Sequence, residues 1–411
     1  MKQLRSLICV TALLGAAATP LAHAIDITAG DWKFSVDGNV NGSYIFSNCD
    51  ASPHVVDGGL ACIAPTGSSS VSNGLLPAAI VFSGATNQAG YDLTFTFGFF
   101  PGISSNDGGS PNLQAVSGPT NTALATSGLD IRQVFLTFGN DVMGTVLVGR
   151  NIGLFASDAI LNDMTLVAVG AGNGNYAAPA NTALGSIGLG YIYTDWLAQI
   201  DYITPKYSGF QASLGVFDPL ETLNSNQTSP SVKDTPGFHG KISYTHEAFY
   251  LSASALVQKQ TGNDEPTVTT TVPFNYTSWA VDFGGKYDAG PLEVLAWYYR
   301  ADGVGTTALY NFANDPLTGR PRTSDGFLAQ ITYQFGPTKV GFNYGQSRLQ
   351  TANFEVNPLL LDNNEKFTLG VYHSLTKALT LTAEFSVIES INQESQSNTS
   401  RNVDVGAFLK F

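Results

Sequence analysis

The sequence predicts an all-β protein: a transmembrane antiparallel β-barrel of about 16 strands. Three observations carry this reading. Hydropathy alternates with period two over stretches of roughly ten residues. Tight turns alternate with long connections along the chain. The final stretch is itself an alternating strand that ends on an aromatic residue, Phe411.

Composition bounds the alternatives. Only 12% of the 411 residues are charged, about half the share of roughly 25% in an ordinary soluble domain. With 43% hydrophobic residues, 11% aromatics and 43 glycines, the chain is neither disordered nor fibrous. A net charge of −13 argues against nucleic acid as a partner, because phosphate binding needs a basic surface. No apolar run in the chain is long enough for a transmembrane helix, which takes about 20 residues.

Lys2 and Arg5 precede the apolar run Leu7 to Ala18, and Ala22-His23-Ala24 has the small-x-small form of a signal-peptidase site. Residues 1–24 therefore read as a cleaved signal peptide, and 25–411 as the exported barrel. Cys9 departs with the leader. Export to an oxidising compartment makes a Cys49–Cys62 disulfide the expectation, with two unpaired thiols as the alternative.

The first alternating stretch, 31–47, sets Trp32, Phe34, Val36, Val40, Tyr44 and Phe46 against Lys33, Ser35, Asp37, Asn39, Asn41 and Ser43. Strands are expected next at 75–86 and 89–100, the latter with Tyr91, Leu93, Phe95, Phe97 and Phe99 on one face. They continue at 130–139, 143–150, 195–207, 210–217, 237–246 and 249–259. Segment 276–288 opposes Trp279, Val281, Phe283 and Tyr287 to Ser278, Asp282 and Lys286. After 292–301 come 324–335, 338–348, 365–375, 379–391 and 402–411, the last with Val403, Val405, Ala407, Leu409 and Phe411 on one side.

A soluble sandwich would alternate too, so the connections decide. Ser208-Gly209, His246-Glu247, Ala289-Gly290-Pro291, Gly336-Pro337 and Thr376-Lys377 read as tight turns. Asp218 to Thr235, Thr261 to Phe274, Asp302 to Thr323 and Leu349 to Asn364 read as long polar external loops. That asymmetry belongs to an outer-membrane barrel. An even strand count closes an antiparallel barrel, and one of about 16 strands encloses an aqueous channel.

These residues resemble the general Gram-negative porin family of trimeric, sixteen-stranded diffusion channels. Gly149-Arg150-Asn151, Phe155-Ala156-Ser157-Asp158-Ala159 and Asn162-Asp163-Met164 resemble the end of that family's fifth strand and the start of its long third loop. Tyr202-Ile203-Thr204-Pro205-Lys206-Tyr207-Ser208-Gly209-Phe210 resembles the strand–turn–strand that follows the loop, and Phe411 resembles the C-terminal assembly signal. The resemblance implies a homotrimer in outer-membrane lipid and lipopolysaccharide that passes small hydrophilic solutes. It calls for no cofactor.

It also implies that the third loop folds into the lumen and narrows it. The residues agree: Asn151 to Thr194 has no sustained alternation and carries Leu154, Phe155, Ile160, Leu161, Leu166 and Val167, too apolar for a solvated loop. Asp158 and Asp163 fall where the family's loop carboxylates lie, and Arg132 matches a basic residue facing them. The rest of the basic ladder departs from the pattern, with Asn39, Ala79 and Ser186 at expected basic positions and Asp195 where some relatives have Arg. Parity turns Trp196, Ala198, Ile200 and Tyr202 outward, leaving Asp195, Gln199 and Asp201 inward. Arg132 is in conflict, since turning it inward also turns Val134 and Leu136 inward.

The expected constriction is thus Arg132, Asp158, Asp163, Asp195 and Asp201, with cations preferred. An enzyme would need a nucleophile beside a base, yet His54, His239, His246 and His373 carry no G-x-S-x-G or H-E-x-x-H motif. A substrate-selective channel, or a structural or adhesive barrel, remains the alternative.

Overall fold

The computed structural model describes residues 25–50, 54–62, 67–104, 128–172, 181–222, 234–267 and 270–411. The expected leader, 1–24, lies outside them.

The strands in chain order are β1 (Ile25–Ala29), β2 (Trp32–Cys49), β3 (Ser68–Ser72), β4 (Ala79–Gln88), β5 (Tyr91–Pro101), β6 (Leu129–Asn140), β7 (Gly144–Ile152), β8 (Trp196–Ile203) and β9 (Phe210–Phe217). They continue with β10 (Gly237–His246), β11 (Phe249–Thr267), β12 (Thr270–Ala289), β13 (Leu292–Asp302), β14 (Thr323–Phe335), β15 (Thr338–Leu349), β16 (Leu361–Ser374), β17 (Leu379–Asn392) and β18 (Ser397–Lys410). All pair antiparallel with their neighbours, and the circuit closes where β18 meets β2.

Two strands add no width to the wall. β1 pairs with residues 32–36 of β2 below the stretch that β18 pairs, and β3 takes the upper half of β2 while β4 takes the lower. The barrel is therefore sixteen strands round, as the alternation predicts.

Burial runs opposite to that of a soluble fold. Val40, Phe46, Ile200, Leu214, Phe283, Ile331 and Val403 stand exposed on the outer face, while Asn41, Ser43, Ser252, Asn343, Thr368, Ser386 and Asn402 are buried on the inner one. Leaving a large apolar side chain in water forgoes roughly 1.5–3 kcal/mol, so this outer wall is stable only against hydrocarbon. Closure also leaves the sixteen wall strands paired on both edges, as a lipid environment requires.

Three departures from the expected elements have physical causes. The segment read as a loop from Thr261 to Phe274 is instead the upper end of the β11–β12 hairpin, with Gly262 opposite Phe274 and Asp264 opposite Val272. Above the membrane both strand faces meet polar surroundings, so pairing continues after the hydropathy signal ends. Residues 303–322, read as a polar external loop, fold inward: Val304, Thr306, Tyr310, Ala313 and Asn314 are buried. Ser68–Ser72 forms β3 although its serines carry no alternation.

Candidate functional site

The described residues of loop 153–194 enter the barrel from the end of β7 and reach the wall at β14, β16 and β17. Its short helix α1 (Ser157–Leu161) and the 3-10 turn Met164–Val167 place two carboxylates. Asp158 accepts from Lys241 Nζ at 3.0 Å and from the Tyr250 hydroxyl at 2.8 Å, joining the loop to β10 and β11. Asp163 caps the 3-10 turn, accepting from Thr165 N at 3.0 Å and Thr165 Oγ1 at 2.9 Å. It also accepts from the Tyr191 hydroxyl at 2.9 Å and from Asn343 on β15 at 3.3 Å. Burial and the adjacent Asp163 charge push the Tyr191 hydroxyl well above its ordinary range, which keeps it a donor.

That wall grips the loop backbone with polar side chains. Gln330 accepts from Met164 N at 2.7 Å and donates to Asn162 O at 3.1 Å. Lys366 donates to Gly185 O at 2.6 Å, and Glu384 accepts from Val169 N at 3.1 Å and Gly170 N at 2.6 Å. Apolar contacts complete the seat: Ile160, Ile187 and Tyr191 of the loop share one cluster with Leu75 and with Leu295, Trp297 and Leu328 of β13 and β14. A loop so anchored is a partition inside a polar-walled cylinder, able to narrow an aqueous path.

With that geometry in place, the comparisons decide the family: the model for Gram-negative porin matches residues 10–393. The chain belongs to the Gram-negative porin family. No curated protein matches the sequence. Among solved structures, the porin resembles the outer membrane channel DcaP of Acinetobacter baumannii, with 14% identity over 93% of this chain and 99% of that one, at a TM-score of 0.67. It also resembles the anion-selective porin from Comamonas acidovorans, at 13% identity over 92% and 100% of the chains and a TM-score of 0.61. Salmonella typhi OmpF, in complex with daunomycin, matches at 13% identity over 94% and 100%, with a TM-score of 0.60. Identities this low speak for the fold alone. Family and fold together make the protein an outer-membrane porin channel.

The porin resolves the conflict at Arg132 through a bulge. Gly98 faces Gln133 whereas Phe99 faces Ile131, so the register skips at Arg132. The extra residue resets the alternation, and Arg132 is buried on the inner wall while Val134 and Leu136 stand 39% and 46% exposed outside. Arg132 donates to Asp130 at 2.8 Å and to Asn181 of the loop at 3.0 Å, and its guanidinium lies 5.3 Å from the centre of the Phe100 ring.

Asp201 is inward and buried, 2.8 Å from His239 Nε2. The other ring nitrogen of His239 accepts from Leu154 N at 3.4 Å, so this pair also anchors the loop. Asp195 does not follow the parity of β8. It precedes the strand with φ 61°, a left-handed backbone that breaks the alternation, and its carboxylate turns back to Trp196 N at 2.6 Å. Burial raises its pKa, opposed by the Trp196 N–H and by Arg150 and Arg132.

The basic residues of the inner wall lie elsewhere than at Asn39, Ala79 and Ser186. Lysines stand on the inner wall along other strands: Lys241, Lys286, Lys339 and Lys366 on β10, β12, β15 and β16. Lys286 meets Asp288 and Glu293 at 3.5 and 3.3 Å, and Lys339 lies 5.0 Å from the Tyr372 ring centre. The signal that would have found them was already in the pattern, since each lysine sits on the polar side of its strand.

Proposed function

We propose that the channel passes small hydrophilic solutes and ions by passive diffusion, without chemical change, and that it prefers cations. The observation that supports this most is the inner wall: polar side chains face a loop anchored against it, and the buried carboxylates Asp158, Asp163 and Asp201 outnumber Arg132 and Lys241 there. Asp158, Asp163, Asp195 and Asp201, with Arg132 opposite, are the proposed constriction, in which the loop's carboxylates set the field and Arg132 and Lys241 temper it. Fixed charges at a narrow, low-dielectric passage govern which ion enters.

Residues 1–24 are the proposed cleaved leader, 25–411 the mature barrel, and the assembly a homotrimer held in lipid and lipopolysaccharide. An outer membrane protein of Vibrio cholerae with a trimer form shares the fold, with 12% identity and a TM-score of 0.55. Planar-bilayer recording of the purified protein tests the channel reading: discrete conductance steps support it, and a sealed bilayer at high protein load overturns it.

A further inference from the structure

Segment 303–322 behaves like a wall element rather than an external loop. Val304, Leu309, Tyr310 and Ala313 form one apolar cluster with Leu256, Ala280 and Tyr299, inward residues of β11, β12 and β13. The same cluster takes in Phe155 and Ile192 of loop 153–194, so the segment lies against both the barrel wall and the inward loop.

Polar contacts run the same way. Tyr193 donates its N–H to Thr307 O at 2.8 Å. Ser324 Oγ donates to Gly305 O at 2.6 Å, and Asn314 Nδ2 donates to Asp264 Oδ2 at 2.5 Å. Tyr310 and Phe312 have φ of 66° and 59°, a left-handed backbone that bulky residues adopt only when their surroundings impose it. The base of the segment is fixed by Arg322, whose guanidinium meets both Glu355 oxygens, at 2.9 and 2.5 Å, in a bidentate pair. Both side chains are almost wholly enclosed, and Arg322 Nη1 also donates to Phe312 O at 3.3 Å.

We propose that residues 303–322 form a second constriction, set across the external mouth in series with loop 153–194, and that the Arg322–Glu355 pair is the clamp that holds it there. A solute must clear this segment before it reaches the inner loop, so the segment limits the size of what enters. The inference rests on the diffusion-channel reading above. A buried arginine left without its carboxylate cannot hold the same geometry, which makes Glu355 the point at which the constriction can be released with one isosteric change.

Two variants test this: Glu355→Gln, and a chain in which residues 304–321 are replaced by a short Gly-Ser turn. Each is checked for the heat-modifiable folded band, then recorded in planar bilayers in potassium chloride and assayed by liposome swelling with sugars of increasing size. Two comparable resistances in series predict that removing one raises conductance about twofold, with swelling rates rising more for trisaccharides than for pentoses. Wild-type conductance and an unchanged size profile in the folded variants would overturn the inference and leave the channel reading intact. A wild-type protein that does not conduct would overturn the channel reading itself. Should the shortened chain fail to fold, Glu355→Gln decides alone.

Discussion

At the scale of single residues, the inner wall shows how far side-chain parity can be trusted. Gln199 and Asp201 were legible because β8 alternates without a break between Trp196 and Ile203. Arg132 was not, because one skipped register position switches its strand from one parity to the other, and nothing in Ile131-Arg132-Gln133 marks the bulge. Strand parity does not govern Asp195 for a related reason: its left-handed φ ends the alternation one residue before the strand starts. Its titration gives a direct test. Folding raises the pKa of its carboxyl through burial, so the folded state binds that proton more tightly than the unfolded chain does. The contribution favours folding at low pH and is lost as pH rises through the raised value, beyond which the ionised carboxylate is a cost. Asp195→Asn should therefore raise thermal stability near pH 7, with an advantage that shrinks toward about pH 4. Melting curves of the detergent-folded barrel across that range check it, and an advantage that grows on acidification would be the wrong sign.

At the scale of elements, strands were legible where the membrane enforces two unlike faces and illegible where it does not. The upper β11–β12 hairpin, β3 and the buried segment 303–322 all lie beyond the alternating stretches, where pairing and packing continue without a hydropathy signal. The loop 153–194 could be found because its apolar content contradicts solvation, whereas the clamp at Arg322 and Glu355 joins residues from two loops and has no local signature. Closure of the barrel is an element-scale device: Phe411 exchanges backbone hydrogen bonds with Gly38, both at 3.0 Å, and its ring occupies the space a side chain at Gly38 would need. Deleting Phe411 removes those bonds at the seam between β18 and β2. We expect less of the heat-modifiable folded band in outer membranes, and an undiminished yield would count against a role in assembly.

The Cys49–Cys62 bond acts at the same scale. The structure joins the two residues with Cα atoms 5.6 Å apart and 13 positions of separation, tying the end of β2 to a strap whose Leu60 and Ala61 N–H groups both reach Ser390 Oγ at 2.9 Å. A loop of this length corresponds to about 3 kcal/mol of constraint on the unfolded chain. Non-reducing peptide mapping should recover the linked pair, and free thiols at both positions would refute it. In Cys49→Ser with Cys62→Ser, the strap should be cleaved by protease sooner than the barrel is.

For the whole molecule, ion selectivity follows from how charge is distributed around the lumen rather than from the net charge of −13, much of which lies outside the lumen and is screened by salt. On the inner wall, lysines meet carboxylates: Lys241 faces Asp158, and Lys286 faces Asp288 and Glu293. At the proposed constriction Asp158, Asp163, Asp195 and Asp201 outnumber Arg132 and Lys241, so the surplus there is negative. At an effective dielectric near 20, one unit charge about 8 Å from a permeating ion is worth on the order of 2 kcal/mol before screening. A surplus of even one such charge is enough to bias permeation. The zero-current potential across a potassium chloride gradient should therefore have the sign of cation preference. Asp158→Asn, which frees Lys241, should move it toward anions, and Lys241→Gln should move it further toward cations. If the wild type prefers anions, or if both variants leave the potential unchanged, ions pass by a route that the Asp158–Lys241 pair does not border, and the proposed constriction is misplaced.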